Sequence, residues 1–154
     1  MAYLNLLKPV YLFKNLRDDE LEKVNAIAEL KPYRAGSNIF KEGELAQALY
    51  LVKMGSVAIN QNVKGEDIQV ALLGTGSHFG EMAFIDSEMR SATASCVEDC
   101  EILVVSYDKL NSLMAADSHL ATKFYCALAH FLAGRLRATT HDLSFARELN
   151  LRHF

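Results

Sequence analysis

The chain has 154 residues, a length that fits one domain with a sizeable hydrophobic core. Hydrophobic residues make up 51% of it and charged residues 23%, and the net charge of −3 argues against binding nucleic acid by bulk electrostatics. No apolar run approaches the length of a membrane span, and the first residues lack the basic and apolar regions of a signal peptide. We therefore expect a single cytoplasmic domain, residues 1–154, without direct DNA or membrane contact.

The first predicted element is a helix over about residues 11–30, where apolar residues recur near helical spacing. Asp18 is a candidate cap for its second half, and Pro32 ends the helical pattern. From Tyr33 to Ser106, short runs rich in Val, Ile, Leu and Tyr alternate with turns that hold seven of the 8 glycines. The runs are 38–40, 48–53, 56–63, 67–73, 92–96 and 101–106. Many short strands between closely spaced turns predict an all-β sandwich or barrel over about 33–106.

Beyond Ser106 the pattern is helical again, over about residues 107–146. A short helix is predicted from Tyr107 to Met114, and a long one begins after Asp117 or Ser118 and runs to about Ala146. The long helix carries two apolar sets. One is Tyr125, Leu128, Leu132, Leu136, Thr139 and Leu143, and the other is Leu120, Phe124, Ala127 and Phe131. The presence of two sets suggests that one packs on the core and the other on a partner, which favours a homodimer through this helix. The alternative is a single helix lying over the barrel.

Two short segments carry the chemistry of a ligand site. Residues 79–83 read Phe-Gly-Glu-Met-Ala, and residues 90–93 read Arg-Ser-Ala-Thr. The guanidinium of Arg90 matches two phosphate oxygens bidentately, and the carboxylate of Glu81 can accept hydrogen bonds from ligand hydroxyls. Gly80 lets the backbone approach a ligand closely, and the small residues after Arg90 leave N–H donors exposed for an anion. The alternative is an ordinary surface ion pair between Glu81 and Arg90.

The order and spacing of these residues resemble the phosphate-binding cassette of cyclic-nucleotide-binding domains, found in catabolite activator proteins, kinase regulatory subunits and gated channels. The resemblance extends from about residue 12 to about residue 140. It implies a mainly β fold, a jelly-roll barrel flanked by an N-terminal helix and a long C-terminal helix. It also implies that Arg90 pairs with the cyclic phosphate and Glu81 with the ribose 2′-OH. The cassette residues expected to bind ligand are Gly80, Glu81, Met82, Ala83, Arg90, Ser91 and Ala92.

A second resemblance lies in the long helix. Residues 133–140 are similar to the dimer helix of the catabolite activator family, in which two adjacent hydroxyl residues contact the adenine of cAMP. This implies that Thr139 and Thr140 read the base, one within its own subunit and one across a dimer. The alternative is that each threonine hydroxyl bonds back to a preceding carbonyl of the helix.

Together these features predict a regulatory sensor rather than an enzyme. We expect it to bind cAMP, or cGMP, without a metal, and to act on an unknown downstream protein through its long helix. Because the chain ends without a helix-turn-helix segment, the expectation is a standalone sensor. The alternatives are a nucleotide-independent interaction module of the same fold and a cupin-like metal-binding jelly roll. The second is disfavoured, because only His78 lies near Glu81 in sequence and the other histidines fall in the C-terminal region.

The three cysteines, Cys96, Cys100 and Cys126, are expected to be free thiols, because their number is odd and no signal peptide is apparent. Cys96 and Cys100 alone are weak evidence for a metal site, and buried small hydrophobic residues are the favoured interpretation.

Overall fold

A computed structural model describes the backbone of residues 3–152 and the side chains of residues 3–143. The helices are α1 (Leu4–Leu7), α2 (Asp18–Ile27), α3 (Met82–Asp86), α4 (Tyr107–Ala116) and α5 (Ser118–Arg152), with a 3₁₀ turn at Tyr11–Phe13. The strands are β1 (Ala28–Tyr33), β2 (Asn38–Phe40), β3 (Ala48–Met54), β4 (Val57–Val63), β5 (Glu66–Leu73), β6 (His78–Phe79), β7 (Thr93–Cys96) and β8 (Cys100–Ser106).

The strands form two four-stranded sheets, ordered β1-β8-β3-β6 and β2-β7-β4-β5. All neighbouring strands run antiparallel. The predicted mainly β jelly roll with N-terminal helices and a long C-terminal helix is thereby confirmed. No helix within the described residues is both long and apolar enough to cross a membrane.

Strand β3 shows why the first sheet is buried on both faces. Because side chains alternate across a strand, Leu49 and Leu51 point to one face and Tyr50 and Val52 to the other. The two leucines pack in a cluster with residues of all the helices, whereas Tyr50 and Val52 pack against residues of the second sheet. The chain is therefore layered as helices, first sheet and second sheet, and the near-continuous apolar run of β3 follows from its central position.

The predicted single helix over residues 11–30 is wrong. A 3₁₀ turn covers Tyr11–Phe13, α2 begins only at Asp18, and the chain is already a strand from Ala28. The backbone N–H of Arg17 donates to Glu20 Oε1 at 2.9 Å, which places the N-terminal cap one residue before the predicted one. Strand β1 pairs along its whole length with β8, so long-range pairing overrides the local helical period. Pro32 is tolerated in β1 because this is an edge strand.

The six predicted strand runs are confirmed to within one residue at each end, but β1 and β6 were missed. The sheet region therefore begins at Ala28 rather than Tyr33. Helix α4 ends two residues later than predicted, and α5 continues to Arg152, six residues beyond the predicted end.

Helix α5 divides into a covered and an uncovered part. Leu120, Phe124, Ala127 and Leu128 are buried, and Phe131 and Leu132 are half-buried. From residue 133 to residue 143 every side chain is exposed, including Leu136 at 67% and Leu143 at 57%. The second predicted apolar set is thus the one that packs on the core, whereas the first set is buried only at Leu128 and uncovered farther along.

Candidate ligand-binding site

The connection from β6 to β7 lines a cavity of about 610 Å³. All seven cassette residues predicted from the sequence line it: Gly80, Glu81, Met82, Ala83, Arg90, Ser91 and Ala92. Strands β4 and β5 also line it, and α5 contributes Phe131 and Arg135. The volume lies within the range of small-ligand sites, about 300–1,000 Å³.

Arg90 is a buried cation with no acidic partner among the described side chains. Its side chain is 5% exposed, and among the described residues no carboxylate lies within ion-pair distance of it. Nη1 donates to Gly80 O at 3.0 Å and to Tyr107 Oη at 3.2 Å, and Nη2 donates to Ala48 O at 2.6 Å. Cζ lies 4.1 Å from the ring centre of Phe40. The protein therefore holds the charge with neutral acceptors and an aromatic face, not with a counter-ion.

Two N–H groups of this guanidinium have no acceptor in the described protein. Arginine has five donors. Nη1 of Arg90 donates to two acceptors, whereas Nη2 carries two hydrogens and makes one bond, to Ala48 O. Nε is buried and unpaired. The free donors thus belong to Nε and Nη2, two nitrogens bonded to the same carbon, and such a pair matches two oxygens of one anion.

Gly80 has a backbone conformation and a closeness to its neighbours that only glycine permits. Its φ is +81°, a region that residues with a side chain rarely adopt. A Cβ atom here would lie 2.9 Å from Nη1 of Arg90, 3.1 Å from Cδ2 of Tyr50 and 3.2 Å from Ala48 O. Because the Gly80 carbonyl also accepts from Arg90, this glycine fixes the guanidinium as well as the turn.

Glu81 is buried in the same cavity, at 2% exposed, and it has two basic neighbours. Oε1 lies 3.4 Å from Nη1 of Arg135 on α5, and Oε2 lies 3.7 Å from Nδ1 of His78. Burial raises the pKa of this carboxyl, but the neighbouring His78 and Arg135 outweigh burial and leave the pKa below its usual value. Glu81 is therefore an ionised acceptor at neutral pH, and it does not pair with Arg90.

The lining residues that were not assigned to the site from the sequence include His78, Phe131 and Arg135. Phe131 was placed on the core-facing side of α5, Arg135 had no role in its motif, and His78 was weighed only as a metal ligand. The His78 ring packs on Phe131 with centres 4.5 Å apart, and Arg135 Cζ lies 5.7 Å from the Phe131 ring centre. The available signal was the spacing of four residues between Phe131 and Arg135, which puts both on one face of a helix.

Thr139 and Thr140 do not join the cassette within one chain. Both are exposed on the uncovered part of α5, and neither lines the cavity. Thr139 lies four residues beyond Arg135, about 6 Å farther along the helix axis. Their predicted contact with a base stays a prediction.

The cysteines behave as buried or isolated thiols. All three are free, Cys96 and Cys100 are buried, and Cys126 is exposed. Burial, with the neighbouring Cys100 thiol, raises the pKa of Cys96 to about 12, so this thiol stays protonated and unreactive. Within the described part of the chain no group of three or more His, Cys, Asp or Glu side chains is placed to hold a metal ion.

Comparison with known proteins connects this geometry to a family. Residues 30–117 match the sequence profile of the cyclic nucleotide-binding domain. The chain is 36% identical over 133 residues to the cyclic AMP receptor protein of Thermus thermophilus, covering 86% of this chain and 60% of that protein. It is 34% identical over 122 residues to human cGMP-dependent protein kinase 2, covering 77% of this chain but only 16% of the kinase.

Solved structures give the same result. The crystal structure of the Thermus thermophilus catabolite activator protein superimposes with a TM-score of 0.78 at 34% identity, covering 88% of this chain and 62% of that one. The regulatory domain of Toxoplasma gondii PKA, solved with cAMP, superimposes with a TM-score of 0.69 at 27% identity, covering 71% of this chain and 42% of that one. The chain thus spans less than two thirds of these relatives. With the profile matched over more than half of its residues, the chain belongs to the cyclic nucleotide-binding domain family.

Proposed function

We propose that this chain binds a cyclic nucleotide, cAMP, and that binding changes the position of α5, so that the domain acts as a regulatory sensor. The observation that carries the proposal is Arg90, a buried guanidinium with two free donors that line a cavity of ligand size. A buried charge without a counter-ion is costly in a folded protein. An anionic ligand that enters the cavity supplies the missing charge.

At the phosphate end, the free N–H groups of Nε and Nη2 would each donate to one exocyclic oxygen of the cyclic phosphate. The Ser91 hydroxyl and the backbone amides of Ser91 and Ala92 would add donors, since both residues line the cavity beside Arg90. The three bonds that Arg90 makes to the protein remain in this arrangement, so binding does not require the guanidinium to leave its place.

At the sugar end, Glu81 would accept the hydrogen bond of the ribose 2′-OH. Its carboxylate is ionised, and its contacts to Arg135 and His78, at 3.4 and 3.7 Å, are long for charge-assisted hydrogen bonds. A ribose hydroxyl at normal hydrogen-bond distance would compete well with them. Ligand entry is therefore expected to change the contact between Glu81 and Arg135.

The contact between Glu81 and Arg135 links the ligand site to α5. Phe131 and Arg135 are the α5 residues that line the cavity, so a ligand touches the cassette and the long helix at once. A ligand that contacts one position of the helix better than another shifts the population toward it. The role as a standalone sensor, the cytoplasmic location and the downstream partner stay predictions from the sequence.

For the base, we propose that Thr139 and Thr140 contact adenine in a homodimer formed by α5. The support is the exposed apolar face at Leu136 and Leu143, which one chain leaves uncovered, and the hydroxyls at two adjacent exposed positions. Preference for cAMP is supported by the similarity to the cyclic AMP receptor protein of Thermus and to the Toxoplasma regulatory domain, which was solved with cAMP. The similarity to a cGMP-dependent kinase makes cGMP the alternative.

A thermal-shift titration with cAMP and cGMP tests the proposal. Ligand at about 100 times its dissociation constant stabilises the folded state by roughly 2.7 kcal/mol, and a domain of this size should melt about 5–10 °C higher. No shift with either nucleotide at millimolar concentration would refute binding and favour the nucleotide-independent interaction module.

Replacing Thr139 and Thr140 together with alanine should weaken cAMP binding by about 1–3 kcal/mol and cGMP binding less. Equal losses would mean that the base is read elsewhere.

A further inference from the structure

The hydroxyl of Tyr107 lies where the phosphate arginine is held, although the cassette does not include this residue. Tyr107 is the first residue of α4, 17 positions beyond Arg90 and 8% exposed. Its Oη accepts from Arg90 Nη1 at 3.2 Å and donates to the carbonyl oxygen of Gly80. One hydroxyl thus joins the guanidinium to the carbonyl that also accepts from it.

We propose that Tyr107 is a positioning residue for nucleotide binding, which holds Nη1 of Arg90 so that Nε and Nη2 are presented to the ligand phosphate. The proposal rests on the proposed function. Its basis is the division of the guanidinium. Nη1 donates to Gly80 O and Tyr107 Oη, whereas Nε has no acceptor and Nη2 has one acceptor for two hydrogens. Rotation of the planar group about its Nε–Cζ bond would break both Nη1 bonds and the bond of Nη2 to Ala48 O, so Tyr107 adds to a restraint that Gly80 and Ala48 share.

The place of the hydroxyl is itself fixed from two directions. The backbone N–H of Tyr107 donates to Gln47 O at 2.9 Å. The ring packs edge-on against Phe84 of α3, with centres 5.3 Å apart. Burial raises the pKa of the Tyr107 hydroxyl, despite the opposing charge of Arg90, so the group keeps the proton that it donates to Gly80. The backbone and ring contacts of Tyr107 thus fix the position of its hydroxyl, and this hydroxyl in turn restrains the end of the long Arg90 side chain.

Anchoring of this kind predicts an effect on affinity without an effect on folding. Freely rotating donors lose conformational freedom when the ligand binds, whereas donors already in place do not. The variant Tyr107→Phe keeps the ring and its packing and removes only the hydroxyl. Gly80 O keeps its donor from Arg90, so no buried carbonyl at this point is left unpaired.

The test compares wild-type protein, Tyr107→Phe and the control Tyr33→Phe. Tyr33 is a half-buried tyrosine of β1 outside the nucleotide cavity. Calorimetric titration with cAMP should give about 2- to 12-fold weaker binding for Tyr107→Phe, because the guanidinium then loses freedom of movement when the ligand binds. Tyr33→Phe should bind as the wild type does. Melting temperatures without ligand should agree within a few degrees for all three proteins.

A second measurement does not depend on the nucleotide. In ¹⁵N-arginine-labelled protein without ligand, the Arg90 side chain, assigned by its loss in Arg90→Lys, should show slow rotation about Nε–Cζ and separate Nη signals. Tyr107→Phe keeps the bonds to Gly80 O and Ala48 O but loses one that holds Nη1, so the rotation should become faster and the two Nη signals should broaden. Unchanged signals, or wild-type affinity for cAMP in Tyr107→Phe, would overturn the positioning role. If the wild type binds no nucleotide, the proposed function fails, and the arginine signals alone decide whether Tyr107 holds Arg90.

Discussion

The substitution Arg90→Met tests whether the buried guanidinium serves the ligand or the fold. In the ligand-free protein, its three hydrogen bonds contribute about 1.5–3 kcal/mol each, because the donor is charged. The contact with Phe40 adds up to about 2 kcal/mol. Against these stands the desolvation of a charge with no counter-ion, which costs several kcal/mol. Desolvation thus offsets much of what these contacts contribute, and exchange of a buried charged group for an apolar side chain of similar volume is often close to neutral.

Methionine has a similar unbranched shape and fills irregular space without bringing a charge. It removes the donor that Arg90 gives to Ala48 O, at a cost of about 1–3 kcal/mol, and it also removes the desolvation penalty. We expect the free energy of unfolding to stay within about 2 kcal/mol of wild type, or about 4–8 °C in melting temperature. Binding of cAMP should weaken by about 2–5 kcal/mol, roughly 30- to 5,000-fold, because the phosphate loses its charged partner.

Urea unfolding and calorimetric titration with cAMP measure the two quantities separately. The matched control is Arg17→Met, since Arg17 is an exposed arginine that pairs with Asp19 at 3.0 Å. It should change neither quantity by much. Wild-type affinity in Arg90→Met would mean that the phosphate binds elsewhere. A loss of more than about 4 kcal/mol in the free energy of unfolding would mean that the guanidinium serves mainly the fold.

Two further substitutions test the surroundings of the site and the attachment of α5. Gly80→Ala should destabilise the fold by about 1–2 kcal/mol and weaken cAMP binding at least about tenfold, because φ is +81° and the new Cβ would lie 2.9 Å from Arg90 Nη1. The control is Gly36→Ala, because Gly36 has a φ of +84° but an added Cβ would meet no atom within 4 Å. It should lose stability without losing affinity, and calorimetry measures both quantities for the two variants. Glu20→Gln should lower the free energy of unfolding, measured by urea titration, by about 1–3 kcal/mol. Glu20 is 1% exposed, and its Oε1 lies 2.7 Å from Nζ of the partly solvated Lys123. Hydrogen bonding from the Arg17 backbone and from Lys123 lowers the pKa of Glu20 below 4.5, so its stabilisation is present above about pH 4.5 and lost as pH falls through the lowered pKa. Melting temperatures should therefore fall less steeply on acidification in Glu20→Gln than in wild type, and parallel curves would contradict this assignment.

The strands were predictable because their signals are local. Glycines with positive φ mark the turns, and apolar runs mark strands that are buried on one or both faces. Strand β1 was missed because Ile27 and Leu30 continue a helical spacing, and only pairing with β8, about 70 residues away in sequence, makes this segment extended. The two-residue strand β6 has no periodic signal, and its pairing with β3 alone defines it.

The cassette was predictable for the same reason, since its residues lie within one short connection. What the sequence could not place were the partners of its charged groups. Arg135 comes to Glu81 from 54 residues away, and Ala48 comes to Arg90 from 42 residues away. These contacts depend on how α5 and β3 pack on the connection, and no spacing along the chain encodes that packing.

Helix α5 both contributes to the site and carries the uncovered apolar surface. Because residues four apart lie on one face of a helix, the spacing of its residues explains how it does both. Phe131, Arg135 and Thr139 follow one another at intervals of four, so Thr139 continues the stripe that lines the cavity, one turn beyond it. Thr140 instead follows Leu136 at the same interval, and Leu136 is 67% exposed on the face that one chain leaves bare. In a dimer formed through that face, Thr139 would contact the base held in its own chain, whereas Thr140 would contact the base held by the partner. Two adjacent hydroxyls on a helix point about 100° apart, and this divergence suits the proposed arrangement with a ligand on each side of the helix.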